Sequence, residues 1–239
     1  MINWLGDKPP VTDEARQNES SRRLFLAGAT LAACGLGRSV LADADLDAGG
    51  LTFRNFGIAD NGSSFSRFDS TFGNNAANPA PSRVLAIDNE NGLARIRFDT
   101  IRVEVSLPLG WQATEDWERG VGYSGDKRYR LIVWRVDFAF EGVTDAEHYA
   151  ATKGGTIKAR RPGVQAQARK LRDGTFLIVF ENVPPTQGDS ERRMVFDLLL
   201  SNPGNPKEGV LVTLGVPASE AERGLKLMAL LKSKLRIDW

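Results

Sequence analysis

The run YRLIVWRVDFAF, Tyr129 to Phe140, places Ile132, Trp134, Val136, Phe138 and Phe140 on one face and Arg135 and Asp137 on the other. A period of two predicts a β-strand with one side buried and one side wet. Burying five such side chains contributes about 1.5–3 kcal/mol each before conformational entropy is subtracted. Just beyond it, Thr144-Asp145-Ala146-Glu147 has the spacing of a capping box, so a helix is expected to start there and to end at Gly154-Gly155. On the other side, Ile101, Val103, Val105 and Leu107 alternate with Arg102, Glu104 and Ser106 as a second strand. Pro108-Leu109-Gly110 stops that strand, and Trp111 opens the next segment.

Further out the same signals recur. Val84 to Ile87 and Leu93 to Phe98 flank Asn89-Glu90-Asn91-Gly92, an Asn-Gly hairpin signal. Val164 to Leu171 alternates small and polar residues, Arg172-Asp173-Gly174 turns the chain, and Phe176 to Phe180 returns as an apolar strand. Pro184 to Ser190 reads as a loop. Met194 to Leu200 and Val210 to Leu214 are strands separated by Asn202-Pro203-Gly204-Asn205-Pro206. Ser219, with Glu222 three residues on, caps a last helix whose buried stripe is Ala221, Leu225, Met228, Leu231 and Leu235. Lys232, Lys234 and Arg236 follow near its C-terminus, where positive charge is favoured. This order predicts an α+β domain over residues 82–239, an antiparallel sheet of about six strands packed against helices.

A strand running into Leu107-Pro108-Leu109-Gly110-Trp111, then a long strand, a helix, an antiparallel meander and a closing helix resembles the PsbP/DcrB-like superfamily, over about Arg95 to Ile237. The resemblance implies a PsbP-like α/β/α sandwich and a non-catalytic partner-binding or assembly role. It carries no functional residue over to this chain, and fold does not fix function.

The N-terminal region carries an address. Ser21-Arg22-Arg23-Leu24-Phe25-Leu26 resembles a twin-arginine export signal, with Arg22, Arg23, Phe25 and Leu26 in the consensus positions. The apolar core from Leu24 to Leu36 is shorter than the roughly 20 residues a membrane-spanning helix needs. Small residues precede two cleavage points, after Ala44 and, second, after Ala42. Residues 1–44 are thus expected to be a twin-arginine signal peptide. Leu31-Ala32-Ala33-Cys34 also matches a lipobox, so lipidation of Cys34 is the alternative. The expected location is periplasmic or secreted, or lipid-anchored at the membrane if Cys34 is modified. Residues 45–81, poor in large aliphatics and rich in Gly and Asn, read as a flexible arm or linker. Phe53, Phe56, Phe65, Phe68 and Phe72 are positioned to dock it onto the domain or onto a partner.

Composition excludes much chemistry. The leader carries as many acids as bases, so its removal leaves the net charge at +1, a balance unsuited to holding nucleic acid. The single Cys is Cys34 in the leader and the single His is His148. A mature chain cleaved after Ala44 has no thiol for disulfides, thiolate zinc sites or nucleophilic catalysis, and a His-rich metal centre is impossible. No catalytic residue, metal ligand or cofactor is assigned.

Trp111, Trp117, Tyr123, Arg128 and Tyr129, with Trp134, Arg119, Lys127 and Arg130 interleaved, are the binding candidates. Aromatics beside cations hold anionic or aromatic ligands or anchor protein partners; the competing expectation puts Trp111 and Trp134 in the core. Lys153, Lys158, Arg160, Arg161, Arg169, Lys170 and Arg172 form a basic run, read as a solvated face or a site for anionic lipid or an acidic partner. Glu115, Asp116 and Glu118 read as a solvated acidic loop, and His148 as a surface residue. Expected partners are the export machinery and an unidentified envelope protein or small ligand. Three functions follow: an exported envelope protein that binds a partner or aids assembly, a periplasmic small-ligand carrier with a pocket between sheet and helices, and a carboxylate-based hydrolase.

Overall fold

The structure is a computed structural model that describes residues 45–57, 82–185 and 190–239. The twin-arginine segment, Ala42, Ala44, Cys34, Phe65, Phe68 and Phe72 lie outside the described residues. Among the described residues, two antiparallel sheets and two helices make an α+β fold. The strands are β1 (Arg83–Asp88), β2 (Leu93–Phe98), β3 (Val103–Pro108), β4 (Gln112–Glu115), β5 (Arg119–Tyr123), β6 (Arg130–Asp137), β7 (Gln165–Lys170), β8 (Phe176–Val183), β9 (Arg193–Asn202), β10 (Asn205–Pro217) and β11 (Arg236–Ile237). The helices are α1 (Ala146–Arg160) and α2 (Ala221–Lys234). One sheet runs β1-β2-β3-β11 and the other β4-β5-β6-β10-β9-β8-β7, so the described residues form eleven strands in two sheets where about six in one were expected.

The larger sheet is the middle layer. Helix α1 covers one face through Tyr149 and Ala150, which pack on Val136, Ile178, Phe180, Leu199 and Leu211. Helix α2 and the smaller sheet cover the other, where Leu227, Met228 and Leu231 join Ile96, Leu107, Leu131, Leu198 and Val212. A sheet covered on both faces explains why β8, β9 and β10 carry near-continuous apolar runs. It also corrects the one-sided reading of the long strand: Leu131 and Val133 are as buried as Val136. Phe140 leaves the face expected for it, because the strand stops at Asp137. The Asp137 carboxylate accepts the backbone N–H groups of Ala139 (2.9 Å) and Phe140 (3.1 Å) and turns the chain outward.

Helix α1 passes through Gly154-Gly155 to Arg160 instead of ending there. A Cβ on Gly154 would lie 3.1 Å from the Ala166 Cβ, so the glycine lets the helix close on β7. The cap is Asp145, whose carboxylate accepts from the His148 N–H at 2.9 Å; Thr144 donates its hydroxyl to Asp145. Ser219 lies in a 3-10 turn, Ala218–Glu220, and Glu220 stands at the N-cap of α2. The buried residues of α2 are Gly224, Leu227, Met228, Ala229 and Leu231, while Ala221, Leu225 and Leu235, expected in the stripe, are only partly buried. Gly224 sits at the closest approach: a Cβ there would meet the Val216 methyls at 2.8–2.9 Å.

The folded body includes residues 45–57, the first part of the expected arm. A 3-10 turn, Phe53–Phe56, buries both phenylalanines, and the Trp111 indole N–H donates to the Phe56 carbonyl at 3.0 Å. Arg54 donates to the Asn89 carbonyl on the β1–β2 hairpin, and Asp45 accepts from the Arg172 N–H. Docking, not tethering, describes these residues.

Candidate partner-binding surface

Local turns push three aromatic side chains out at one end of the larger sheet. At the β4–β5 hairpin, Asp116 accepts from the N–H groups of Glu118 and Arg119 and from the Arg119 guanidinium, each at 2.9 Å. This compact turn holds Trp117 at its apex, 71% exposed. Arg119 lies opposite Trp134 on β6, so the hairpin tip stands at the same end as the Asp137 turn, which presents Phe140 at 73% exposure. The C-terminus completes the set. Arg135 of β6 donates to the Ile101 carbonyl at 2.7 Å and to the Asp238 carbonyl, and its guanidinium lies 5.7 Å from the Trp239 ring centroid. Trp239 is 41% exposed.

Strand pairing and ion pairs tie this end together. Pairing of β11 with β3 fixes the chain before Asp238, and Arg97 bridges Asp99 (2.8 Å), Glu104 (3.2 Å) and Asp238 (2.6 Å). Exposed Glu118, Asp137 and Glu141 ring it with carboxylates. Beneath it Glu115 is buried, against the expectation of a solvated acidic loop. One of its oxygens accepts from the Thr100 N–H at 3.1 Å, and burial raises its pKa. Among the described residues no three metal-ligating side chains converge.

The expected binding candidates do not form one surface. Trp111 is in the core, tilted against Tyr129 with ring centroids 6.0 Å apart, because the β3–β4 turn aims it inward at the docked arm. Tyr129 is also buried; its hydroxyl donates to Glu220, and burial together with that carboxylate raises its pKa. Arg128 pairs with Glu220 at 2.7 Å, and Arg130 stacks over the Tyr123 ring at 5.5 Å. Tyr123 pairs with Arg130 at the opposite end of β5 from Arg119, so Tyr123 and Arg128 are a strand's length away from Trp117. Sequence reasoning missed Phe140 and Trp239 as surface residues. An Asp at Asp137, a frequent turn former, was the available sign that the alternation stops early.

Lys153 is the member of the basic run that leaves the solvent. Its ammonium lies 2.7 Å from Asp197 on β9, with side chains 11% and 3% exposed, and Thr213 of β10 donates to the other Asp197 oxygen at 2.5 Å. The ammonium also sits over the rings of Tyr149 (5.1 Å) and Trp134 (5.8 Å). Burial pulls its pKa down, but Asp197 and Tyr149 outweigh burial and leave it raised. A protonated ammonium has no lone pair for base or nucleophilic chemistry, so this pair reads as a pin between α1 and the sheet. His148 is exposed on the first turn of α1, its Nδ1 3.4 Å from the Thr144 N–H and hydroxyl, within the local cap.

The chain is similar in fold to two solved proteins. A Ran-binding protein, Mog1p of Saccharomyces cerevisiae, matches with a TM-score of 0.44 at 11% identity, over 61% of this chain and 95% of Mog1p. A cyanobacterial PsbP (CyanoP) of Synechocystis matches with a TM-score of 0.44 at 15% identity, over 64% of this chain and 95% of CyanoP. No family model matches the chain, and a search of curated proteins finds no match.

Proposed function

We propose that the protein is exported by the twin-arginine route and binds a protein partner in the envelope, without catalysis, through its aromatic end. One observation carries the binding half. Trp117, Phe140 and Trp239 are three of the four large apolar side chains exposed among the described residues, and all three share one end of the sheet. The fourth, Ile87, lies by the β1–β2 hairpin, away from the Thr100–Arg102 turn. Exposed aromatics mark contact sites because they bring large apolar area at little cost in side-chain freedom. The carboxylate rim of Glu118, Asp137 and Glu141 favours a partner whose apolar cleft has a cationic border.

The export half rests on Arg22, Arg23, Phe25 and Leu26. Cleavage after Ala44, or after Ala42, keeps Asp45 and the docked Phe53 and Phe56 in the mature chain. A Cys34 lipid anchor is the other processing outcome. The alternative reading, a small-ligand carrier, would place its ligand between the sheet and the helices, beside the side chains of the two cores.

A photo-crosslinking amino acid placed at 117 or 140 in cells tests the contact, with the same probe at exposed Lys127 as control. A discrete protein adduct from 117 and 140, absent from 127 and competed by wild-type protein, is expected; identical patterns from all three positions would overturn the surface. Fractionation with Arg22→Lys and Arg23→Lys tests the address. Undiminished export of that variant would overturn it.

A further inference from the structure

Asn91-Gly92 closes the loop of the β1–β2 hairpin, and the same dipeptide occurs once more in the chain, at Asn61-Gly62. Asp88 holds the asparagine: its carboxylate accepts the Asn91 side-chain amide N–H at 2.7 Å and the backbone N–H at 2.9 Å. These two bonds, with a smaller part from the charge of Arg54, keep the Asp88 carboxyl below its usual range and ionised. Asn91 is exposed, whereas Gly92 takes φ +70° and is buried against Arg54, where a Cβ would lie 2.3 Å from the Arg54 Cγ. The Gly92 carbonyl accepts from the Leu109 N–H at 2.9 Å, but the Gly92 N–H donates to no group among the described residues. Backbone N–H groups in a folded chain are nearly always paired, and this one is left free for other chemistry.

A bond between that nitrogen and the Asn91 carboxamide carbon closes a five-membered ring. Groups tethered in this way react as if at very high local concentration, and Gly92 has no side chain to block the approach. We propose that Asn91-Gly92 is a site of spontaneous isoaspartate formation and that this conversion loosens the docked segment 45–57. The Gly92 nitrogen bonds to the Asn91 carboxamide carbon, the bond to the side-chain nitrogen breaks, and that nitrogen leaves as ammonia with the proton lost from Gly92. Water then opens the cyclic imide at either carbonyl, giving aspartate or isoaspartate with no change of oxidation state. In isoaspartate the main chain runs through the side-chain carbons and is one methylene longer between Asn91 and Gly92. The loop has little room for it. Asp88 pairs with Leu93 at its base, and Gly92 lies between Arg54 and the Leu109 N–H. The Asn89 and Glu90 carbonyls accept from the Arg54 guanidinium at 2.8 and 2.5 Å. Lengthening the loop shifts either Gly92 or those carbonyls, and both shifts loosen the hold on Arg54, which belongs to the turn that buries Phe53 and Phe56. The ties through Asp45, Asn55 and the Phe56 carbonyl lie elsewhere, so the segment loosens without leaving. Neither export nor the aromatic end is involved.

The test ages the whole protein at mildly alkaline pH and maps its peptides by mass spectrometry. Asn61→Gln removes the other Asn-Gly throughout. Asn91→Gln on that background is the control, because its longer side chain closes a larger ring far less readily. The same protein aged in urea sets the pace of the unrestrained loop. Expected at Asn91 in the folded protein is a mass gain equal to replacing NH2 by OH, with labelling of that peptide by an isoaspartate methyltransferase. Trypsin should cut after Arg54 about tenfold faster or more in the converted fraction, the effect of losing one hydrogen bond to a charged group. The Asn91→Gln protein should show none of these changes. No mass gain at Asn91 in the folded protein over the time in which the urea-treated chain converts, or a gain without methyltransferase labelling, would overturn the site. Unchanged cleavage after Arg54 in the isoaspartyl fraction would overturn the loosening.

Discussion

Replacing Lys153 by Met should destabilise the protein far more than a change to one residue of a basic surface run would. The substitution strands the Asp197 carboxylate, 3% exposed, with the Thr213 hydroxyl as its remaining hydrogen-bond partner. Breaking a buried ion pair from one side costs about 3–5 kcal/mol, a large part of the roughly 5–15 kcal/mol that holds a typical domain folded. Asp197→Leu alone should cost a similar amount by stranding the ammonium. The triple variant Lys153→Met, Asp197→Leu, Thr213→Val removes every member together. It should return to within about 1 kcal/mol of wild type or exceed it, because apolar replacements of buried pairs are often neutral or stabilising. Urea unfolding of the four proteins measures this directly, and amide exchange in α1 reports whether the helix loosens first. The pair also predicts a pH signature. A lysine whose folded pKa is raised stabilises fully below the ordinary value of 10.5 and loses that contribution as pH climbs through the folded value. Wild type should therefore weaken in that alkaline window, and the triple variant should lack this loss. A Lys153→Met protein within about 1 kcal/mol of wild type, the range of exposed pairs, would refute the reasoning.

Gly120→Ala places a Cβ 2.3 Å from ring atoms of the fully buried Phe98 and should cost about 1–3 kcal/mol, read as a melting temperature lower by roughly 2–4 °C per kcal/mol. Trp111→Phe leaves the Phe56 carbonyl without its donor, a loss of about 1–3 kcal/mol, and should speed proteolysis near residues 45–57 while β9 and β10 keep their amide protection. Glu115→Gln keeps an acceptor for the Thr100 N–H and removes a buried charge. Because burial raises the Glu115 pKa, wild-type stability declines as pH rises from 4.5 through the folded value. The Gln variant should be the more stable at pH 7 and lose its advantage below 4.5, as denaturation at both pH values will register.

The strands were legible where alternation was strong and both ends were marked by turn residues: β1, β2, β3, β7 and β8 all stand close to their expected limits. The division into two sheets was not, because strand order depends on tertiary pairing that no local period encodes. Phe140 was misassigned because its alternation outlasts the strand by one Asp-initiated turn. Gly154 and Gly224 show the converse. Glycine reads as a helix end or a weak position, yet both sit inside helices at the points of closest packing. Lys153 was hidden within a basic run for a simple reason. Its partner Asp197 is 44 residues away, and only the α1–β9 contact brings them together. The three exposed aromatics fall at Trp117, Phe140 and Trp239, too dispersed in the chain to be read as one surface before folding.

The claim that the aromatic end is a protein contact is tested most directly by affinity. The partner captured from position 117 should be purified and titrated against wild type, Trp117→Ala, Phe140→Ala and Lys127→Ala. Loss of a central aromatic contact is expected to cost about 2 kcal/mol or more, roughly thirtyfold in Kd, for Trp117→Ala, with Phe140→Ala also weakened and Lys127→Ala unchanged. Wild-type affinity in both aromatic variants, with folding intact, would contradict the account.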